Sequence, residues 1–203
     1  MEGVNTQYTD YNLPGGTLHF YDKFINKELA DFYFETFQLM PFEQGKVTGG
    51  KERRKTCFYS ELRDADGSLR KYYYIGKENA AYEFNDELKD LKEKIEASTG
   101  YKFNSCLVNL YENGRNVIGW HSDSERSIYE NPVIASISLG AERWFDVKAK
   151  DNAPNPDLEH NIRTVHGSLI IMGGTMQKYY KHQIRQEAKV KEPRINLTFR
   201  LSR

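Results

Sequence analysis

The segment VIASISLGAERWFDVKA, residues 133–149, is the clearest indication of the fold, because it holds two strand-length runs on either side of Gly140. The first run is mostly apolar, as in a strand that is buried on both faces, and the second has apolar residues at alternating positions. Clusters of Gly, Asn and Pro separate such runs after Gly100. The other runs of this kind are SCLVNLY at 105–111, GSLIIM at 167–172 and RINLTFRL at 194–201. The second half of the chain is therefore predicted to form a β-sandwich.

Two amphipathic helices are predicted upstream of these strands. The first is expected to begin after Asn26 and to end at Met40, and the second to begin after Asn85 and to end at Gly100. The apolar stripes are Leu29, Phe32, Tyr33 and Phe37 in the first helix, and Leu88, Leu91 and Ile95 in the second. Residues 59–72 are typical of a strand, a turn and a strand. Helices followed by a run of strands predict an α+β domain.

The composition indicates a globular protein without a membrane span. The 203 residues suit one domain, and the aromatic content of 13% can supply a packed core. No apolar segment approaches the roughly 20 residues that cross a bilayer, and the first residues lack the features of a secretory signal. The two cysteines, Cys57 and Cys106, are too few for a disulfide framework and favour a reducing compartment. We therefore expect an intracellular protein, either cytoplasmic or nuclear.

The net charge of zero conceals a strong gradient along the chain. Residues 160–203 carry nine basic and two acidic side chains, and a second basic run spans residues 51–55. This asymmetry permits a polyanionic partner, although a solvated basic face would give the same pattern.

The sequence His121-Ser-Asp123 is the first candidate for a chemical site. In an extended chain, residues two apart point to the same face, so an imidazole and a carboxylate would converge. They could supply two ligands of a 2-His-1-carboxylate iron site, although a hydrogen-bonded surface pair has the same spacing. A third ligand would be another histidine, and the candidates are His19, His160, His166 and His182. His182 is favoured, because it follows an apolar strand and an aromatic pair.

The last predicted strand has one polar face. Arg194, Asn196, Thr198 and Arg200 alternate with apolar residues, which also fits a solvated edge strand. A planar guanidinium binds a carboxylate through two parallel hydrogen bonds, so these arginines suit a small dicarboxylate. Asn109 and Tyr111 have the same spacing on an earlier strand and could add neutral hydrogen bonds.

Taken in order, these motifs resemble the AlkB family of Fe(II)- and 2-oxoglutarate-dependent dioxygenases, especially its nucleic-acid demethylases. The resemblance is strong from Thr99 to Leu201 and weaker before that. Its motifs are Asn109-Leu-Tyr111, His121-Ser-Asp123-Ser-Glu125, Ala135-Ser-Ile-Ser-Leu-Gly-Ala141, His166-Gly-Ser, His182 and Pro193-Arg-Ile-Asn-Leu-Thr-Phe-Arg200. It implies an α+β fold with a double-stranded β-helix, or jelly roll, and N-terminal helices packed on one sheet. In this single domain, residues 1–98 would form an N-terminal extension and nucleotide-recognition lid, and residues 99–203 the catalytic core.

The resemblance also implies a role for each motif. The iron ligands would be His121, Asp123 and His182. The distal carboxylate of 2-oxoglutarate would be anchored by Arg194, with help from Asn109, Tyr111, Asn196 and Arg200. Glu125 would contact a flipped base and would itself be held by Arg200. Tyr74 and Tyr72 are the candidates for stacking on that base. Arg54 would contact the substrate. Arg53 and Tyr180 depart from the family pattern, at positions that bear on the substrate pocket and not on the reaction type.

The implied function is repair of N-alkylated bases in DNA or RNA with Fe(II), 2-oxoglutarate and O2, releasing formaldehyde and succinate. Duplex-acting relatives carry an apolar wedge where this chain has Glu43 and Gln44, and Phe42 is the nearest apolar residue. We therefore expect a monomer that prefers single-stranded nucleic acid and binds no membrane. The alternatives are an RNA- or tRNA-modifying dioxygenase, a protein hydroxylase, and a binding module on an inactive dioxygenase fold.

Overall fold

The computed structural model describes residues 3–47, 50–74, 77–123, 129 and 131–203. Three helices are described, namely α1 (Lys27–Phe37), α2 (Asp86–Thr99) and α3 (Met176–Tyr179). The described strands before α2 are β1 (Thr9–Asp10), β2 (Gly16–Tyr21), β3 (Glu43–Val47), β4 (Gly50–Ser60), β5 (Tyr72–Tyr74), β6 (Lys77–Asn79) and β7 (Ala81–Tyr82). Those after it are β8 (Ser105–Tyr111), β9 (Ile118–His121), β10 (Ile134–Gly140), β11 (Arg143–Ala149), β12 (Glu159–Thr164), β13 (Ser168–Gly174), β14 (Tyr180–Ile184) and β15 (Arg194–Arg200).

Two sheets make up most of the described chain. The large sheet has nine strands in the order β1-β2-β13-β10-β15-β8-β4-β3, with β7 beside β4, and the small sheet has the order β12-β11-β14-β9. The described pairings in both sheets are antiparallel except that of β7 with β4. Each strand predicted after Gly100 is present, as β8, β10, β11, β13 and β15. The fold is mostly β with few helices and is consistent with a jelly roll, so the α+β expectation is met in part.

The apolar runs are explained by two hydrophobic clusters on opposite faces of the large sheet. In β10, Ala135, Ile137 and Leu139 belong to one cluster and Ile134 to the other, while Ser136 and Ser138 hydrogen-bond side chains of β15, so almost every residue of this strand is buried. The interior cluster joins Ile134, Ile170 and Met172 of the large sheet to Phe145, Val147 and Ile184 of the small sheet. The second cluster joins Ala135, Ile137 and Leu139 of β10 to Tyr33 and Phe37 of α1 and to Leu88, Leu91 and Ile95 of α2.

Both predicted helices form, but the first differs in detail. The side chain of Asn26 caps α1 by accepting a hydrogen bond from the Leu29 N–H at 3.0 Å, and the helix ends at Phe37, before the predicted Met40. Phe32 is 50% exposed, so its place in the predicted stripe is wrong. It lies about 100° around the helix from Tyr33, and Ala30 occupies the buried side instead.

The second helix agrees with its sequence signals. Asn85 accepts a hydrogen bond from the Leu88 N–H at 2.9 Å, and α2 ends where Gly100 takes a left-handed conformation with φ 77°. A residue with a Cβ would be strained at that φ, so glycine is the suitable terminator.

The predicted strand, turn and strand at 59–72 correspond to the end of β4, a turn and the start of β5. A turn forms at Asp64–Gly67, where the Gly67 N–H donates to the Asp64 carbonyl at 2.9 Å. The second strand, β5, pairs with β6 instead of returning along β4. The strand β4 instead pairs with β8, so the first 60 residues contribute directly to the large sheet. The division into a lid and a core at residue 98 stays a prediction.

Within the described ranges, the structure contains no helix that is both long enough and apolar enough to span a membrane.

Candidate active site

Two histidines and an aspartate meet at one edge of the small sheet. His121 ends β9 and lies directly opposite His182 of β14, with a distance of 4.3 Å between the ring centroids. Asp123 follows β9, and its two carboxylate oxygens lie 3.8 Å from the Nε2 atoms of His121 and His182. One ligand atom from each of the three residues falls within 4.8 Å of the others, so the group could hold a metal ion.

An irregularity in β9 aims His121 into the interior. Ile118 lies opposite Ile184, and His121 lies opposite His182. Between these two pairs, β9 therefore has one more residue than β14. A bulge of this kind re-aims side chains and is common beside active sites. Ile118 and His121 both line the interior cavity, whereas Trp120 contacts a lysine of β11 across the outer face of the sheet.

The protonation states of this group suit a metal ion. Burial alone would raise the pKa of Asp123, but its surroundings, with the positive charge of Arg200 as the largest lowering influence, bring that pKa down to about 2. The Arg200 Nη2 donates a hydrogen bond of 3.0 Å to the Asp123 Oδ1. Burial, with the neighbouring His121, lowers the pKa of His182 to about 3. At neutral pH the carboxylate is therefore ionised and His182 is neutral, which are the forms that bind metals.

The segment that carries Asp123 is held in place by polar contacts from β14 and α3. The backbone N–H of Asp123 donates to the Gln177 Oε1 at 2.8 Å, and the Ser122 hydroxyl donates to the Tyr180 carbonyl at 2.8 Å. Gln177 is buried on the short helix α3. No local signal in the sequence distinguished Gln177, because the contact spans 54 positions of the chain.

The polar face of β15 lines the same cavity as the candidate metal ligands. In the register of β15 with β8, Arg194 lies opposite Tyr111 and Asn196 lies opposite Asn109. These four side chains and Arg200 line the cavity together with His121, Asp123 and His182. The structure thus brings together the side chains that the sequence placed on two separate strands.

Arg194 is a buried cation without an anionic partner among the described residues. It is 1% exposed, and its Nη2 donates to the Ser138 hydroxyl at 2.9 Å. Its Nε and Nη1 atoms are buried and make no hydrogen bond to the described residues. Burial, with the nearby Arg143, lowers the pKa of Arg194 to about 10, so it remains charged at neutral pH. A buried, uncompensated guanidinium is costly, so it fits a site for a carboxylate ligand.

Arg54 and Arg53 point in different directions. Arg54 is buried, lines the cavity and donates to the Asn109 Oδ1 at 2.7 Å. Arg53 is exposed and donates to the Gln186 side chain at 3.0 Å. Arg54 therefore lies inside the candidate site, and its contact with a substrate stays a prediction.

The three other candidate histidines contact residues outside the group of His121, Asp123 and His182. His19 stacks on Tyr8 with 4.2 Å between centroids, and His160 lies against Tyr11 with 5.3 Å between centroids. The Nδ1 atom of His166 accepts a hydrogen bond of 2.8 Å from the Gly140 N–H. Within the described residues, none of these three histidines joins the group of His121 and Asp123.

Three predicted substrate contacts lie wholly or partly outside the described residues. Glu125 lies outside the described residues. Tyr72 and Tyr74 belong to β5, but their side chains are also outside the described part of the structure. Their roles therefore stay predictions.

The comparison with known families shows which superfamily the chain belongs to. A family model described as the 2OG-Fe(II) oxygenase superfamily matches residues 16–200. The chain belongs to that superfamily. Membership implies Fe(II), 2-oxoglutarate and O2, and the group of two histidines and one carboxylate could hold the metal.

The individual relatives with similar sequences are AlkB proteins. It is 36% identical over 192 residues to alpha-ketoglutarate-dependent dioxygenase alkB homolog 3 of Homo sapiens, covering 89% of this chain and 64% of that protein. It is 32% identical over 171 residues to DNA oxidative demethylase ALKBH2 of Arabidopsis thaliana, covering 73% of this chain and 52% of that protein. The chain thus spans less than two thirds of the length of these relatives. The resemblance to the AlkB family is confirmed.

A solved structure supports the same fold. The structure of OsALKBH1 matches with a TM-score of 0.64 at 19% sequence identity, covering 96% of this chain and all of that one. At this identity, the likeness concerns the fold alone.

Proposed function

We propose that this chain is an Fe(II)- and 2-oxoglutarate-dependent dioxygenase that oxidatively demethylates N-alkylated bases in nucleic acid. The observation that carries the proposal is one cavity that contains both the His121–Asp123–His182 group and the uncompensated guanidinium of Arg194. The names of the AlkB relatives support nucleic acid as the substrate class.

Different residues of the protein would bind the metal and the cosubstrate. His121, Asp123 and His182 would hold Fe(II) and leave other coordination positions open. When bound, iron and 2-oxoglutarate supply the activation of O2 that oxidises an N-methyl group, with 2-oxoglutarate converted to succinate and carbon dioxide. Arg200 keeps Asp123 ionised and oriented through its hydrogen bond.

Arg194 would bind the distal carboxylate of 2-oxoglutarate. Its Nε and Nη1 atoms are buried donors without a partner among the described residues, and a carboxylate would accept hydrogen bonds from the guanidinium. Tyr111 and Asn109, on the adjacent strand β8, would add hydrogen bonds, as would Asn196 on β15. The cavity therefore suits an anion that accepts hydrogen bonds at two of its groups.

Apolar side chains complete the cavity and would exclude water from the reaction. Leu107, Phe145 and Met172 line it beside the polar residues. Phe145 stacks on His182 with 5.1 Å between ring centroids, which also fixes the orientation of that imidazole. The oxidised methyl group is a hydroxymethyl amine, which loses formaldehyde without further help from the protein.

The substrate itself would be a base flipped from a single strand of DNA or RNA. Glu125, Tyr72 and Tyr74 are the proposed contacts with the base, and Arg54 lies deep enough in the cavity to reach its polar edge. Flipping is easiest in a single strand, since no base pair has to be broken. We further propose that the protein acts as a monomer inside the cell.

The proposal is tested by mass spectrometry of methylated oligonucleotides incubated with the protein, Fe(II) and 2-oxoglutarate, in matched DNA and RNA forms. The wild-type protein should remove the methyl group, and His182→Ala should not. His166→Ala is the matched control, since this histidine makes a structural hydrogen bond away from the cavity, and it should retain turnover. Retained activity in His182→Ala, or no loss of methyl groups with the wild-type protein on either nucleic acid, would refute the proposal.

A further inference from the structure

The outer face of the small sheet carries two uncompensated lysines. Val147 and His182 lie opposite each other and face the interior, so their neighbours Lys148 and Lys181 lie on the outside. These two lysines are themselves directly opposite each other in the register of β11 and β14. Neither forms an ion pair with an acidic residue in the described part of the chain, although Glu159 lies opposite Lys148 on β12.

This arrangement is unfavourable for the sheet alone. Like charges that lie directly opposite on neighbouring strands destabilise the pair. A bound anion between the two amines would turn the repulsion into attraction. The placement is therefore explained better by a ligand than by the stability of the fold.

Aromatic rings hold the cations along this face. The Lys148 amine lies 4.3 Å from the centroid of the Trp120 ring. Trp144 lies between two guanidinium groups, with Arg185 at 5.0 Å and Arg163 at 5.3 Å from its ring centroid. The arginines are also paired with carboxylates, whereas the lysines are not. We call Lys148, Lys181, Arg163, Arg185 and the two tryptophans the basic face.

The basic face lies directly behind the candidate metal ligands. Trp120 precedes His121 and Lys181 precedes His182, and in each pair one side chain is outside and the other inside. Strand β9 is at the edge of the small sheet, so no further described strand separates Trp120 from the border of that sheet. A polynucleotide whose base enters the cavity would pass close to this edge.

We propose that the basic face binds the phosphodiester backbone of the substrate strand beyond the flipped base, with Lys148 and Lys181 as the phosphate contacts. This inference rests on the proposed function, since it extends the site for the base to its flanking nucleotides. Interleaved cations and aromatic rings are typical of surfaces that follow a single nucleic-acid strand. The edge strand β9 carries both Trp120 of this face and His121 of the cavity, and this proximity favours the substrate strand over an unrelated acidic protein.

The test compares strand binding with turnover. The double variant Lys148→Ala/Lys181→Ala is titrated against a fluorescently labelled 15-nucleotide single strand, and its turnover of a methylated trinucleotide is measured separately. The matched control is Lys23→Ala/Lys89→Ala, which removes two exposed lysines near α1 and α2, away from the small sheet. We expect at least fivefold weaker binding of the 15-mer in the first variant, unchanged turnover of the trinucleotide, and no change in the control.

Salt dependence identifies the contacts as phosphates. Each phosphate contact with a single strand contributes about 0.7 to the slope of log Kd against log salt concentration, so losing two should lower the slope by about 1.4. Lys148→Arg/Lys181→Arg should keep the wild-type slope, because the charges remain.

Three results would overturn the inference: unchanged binding of the 15-mer, an equal loss in the control, or an equal loss in trinucleotide turnover, which would mean that the lysines act through His182. Failure of the proposed function would be distinct, since the wild-type protein would then bind the 15-mer but remove no methyl group.

Discussion

Among the single residues of the cavity, Asp123 and Arg194 differ in whether their charged groups have hydrogen-bond partners. Asp123 has partners in Arg200 and the backbone contact from Gln177. Arg194 is buried to the same degree, yet two of its three nitrogens have no acceptor among the described residues. An arginine whose donors were needed only for the fold would have them satisfied by the protein. The unsatisfied donors therefore support the proposal that Arg194 binds the cosubstrate carboxylate.

Replacement of Arg194 by lysine should weaken binding of 2-oxoglutarate. Arg194→Lys keeps the charge but loses the two parallel donors, and hydrogen bonds to charged groups contribute about 1.5–3 kcal/mol. We expect the KM for 2-oxoglutarate to rise by about tenfold or more. Steady-state kinetics with varied 2-oxoglutarate measures this, and Arg163→Lys, on the outer face of the small sheet, is the control. An unchanged KM in Arg194→Lys would assign the carboxylate anchor to another residue.

Gln177 should act as a positioning residue for the candidate metal ligand Asp123. Gln177→Met keeps the length of the side chain but removes the acceptor for the Asp123 N–H, and residues that orient ligands typically change metal affinity by about 10–100-fold. Titration with Mn(II), followed by the shift in Tm, should show weaker binding. Gln177→Glu retains an acceptor and should restore most of the affinity. Gln183→Met on the outer face serves as control, and equal affinities in Gln177→Met and wild type would contradict this role.

At the element scale, the strands were predictable and their irregularities were not. β10 and β15 are identified by local pattern, because burial on one or both faces leaves a direct mark on the sequence. The alternation in β15 also predicted that Arg194 and Arg200 share a face. The bulge in β9 depends on pairing with β14, and the contact of Gln177 depends on the placement of α3. Such features arise between distant segments, so no local pattern reveals them.

The corrected stripe of α1 can be tested by stability. Tyr33 is fully buried, stacks on Phe37 with 5.5 Å between centroids, and hydrogen-bonds Asp90 of α2, whereas Phe32 is half exposed. Tyr33→Ala should lower the free energy of unfolding by about 3–5 kcal/mol, the usual range for a buried aromatic residue. Phe32→Ala should change it by less than about 1 kcal/mol. Urea unfolding of the two variants decides between the stripes, and a larger loss in Phe32→Ala would restore the original prediction.

In the whole molecule, the large sheet packs against the helices on one face and lines the candidate site with the small sheet on the other. One face of the large sheet packs against α1 and α2, and its other face forms the interior with the small sheet. The candidate metal ligands come from the small sheet and the segment that follows β9, and the proposed cosubstrate contacts come from the large sheet. The candidate site therefore depends on the packing of the two sheets against each other.

The whole molecule should prefer a single strand over a matched duplex. The resemblance predicts an apolar wedge of duplex-acting proteins at the position of Glu43 and Gln44, but both side chains are polar and exposed here, and Phe42 packs against the core cluster. Without a wedge, the few kcal/mol of unpairing and unstacking must come from binding energy. Initial rates on single and duplex forms of one methylated sequence, at equal salt, should therefore favour the single strand. Glu43→Phe supplies an apolar tip and should raise the duplex rate selectively, whereas Glu35→Phe on α1 should not. Equal or faster turnover of the duplex by the wild-type protein would contradict the prediction and indicate that Phe42 leaves the core to intercalate.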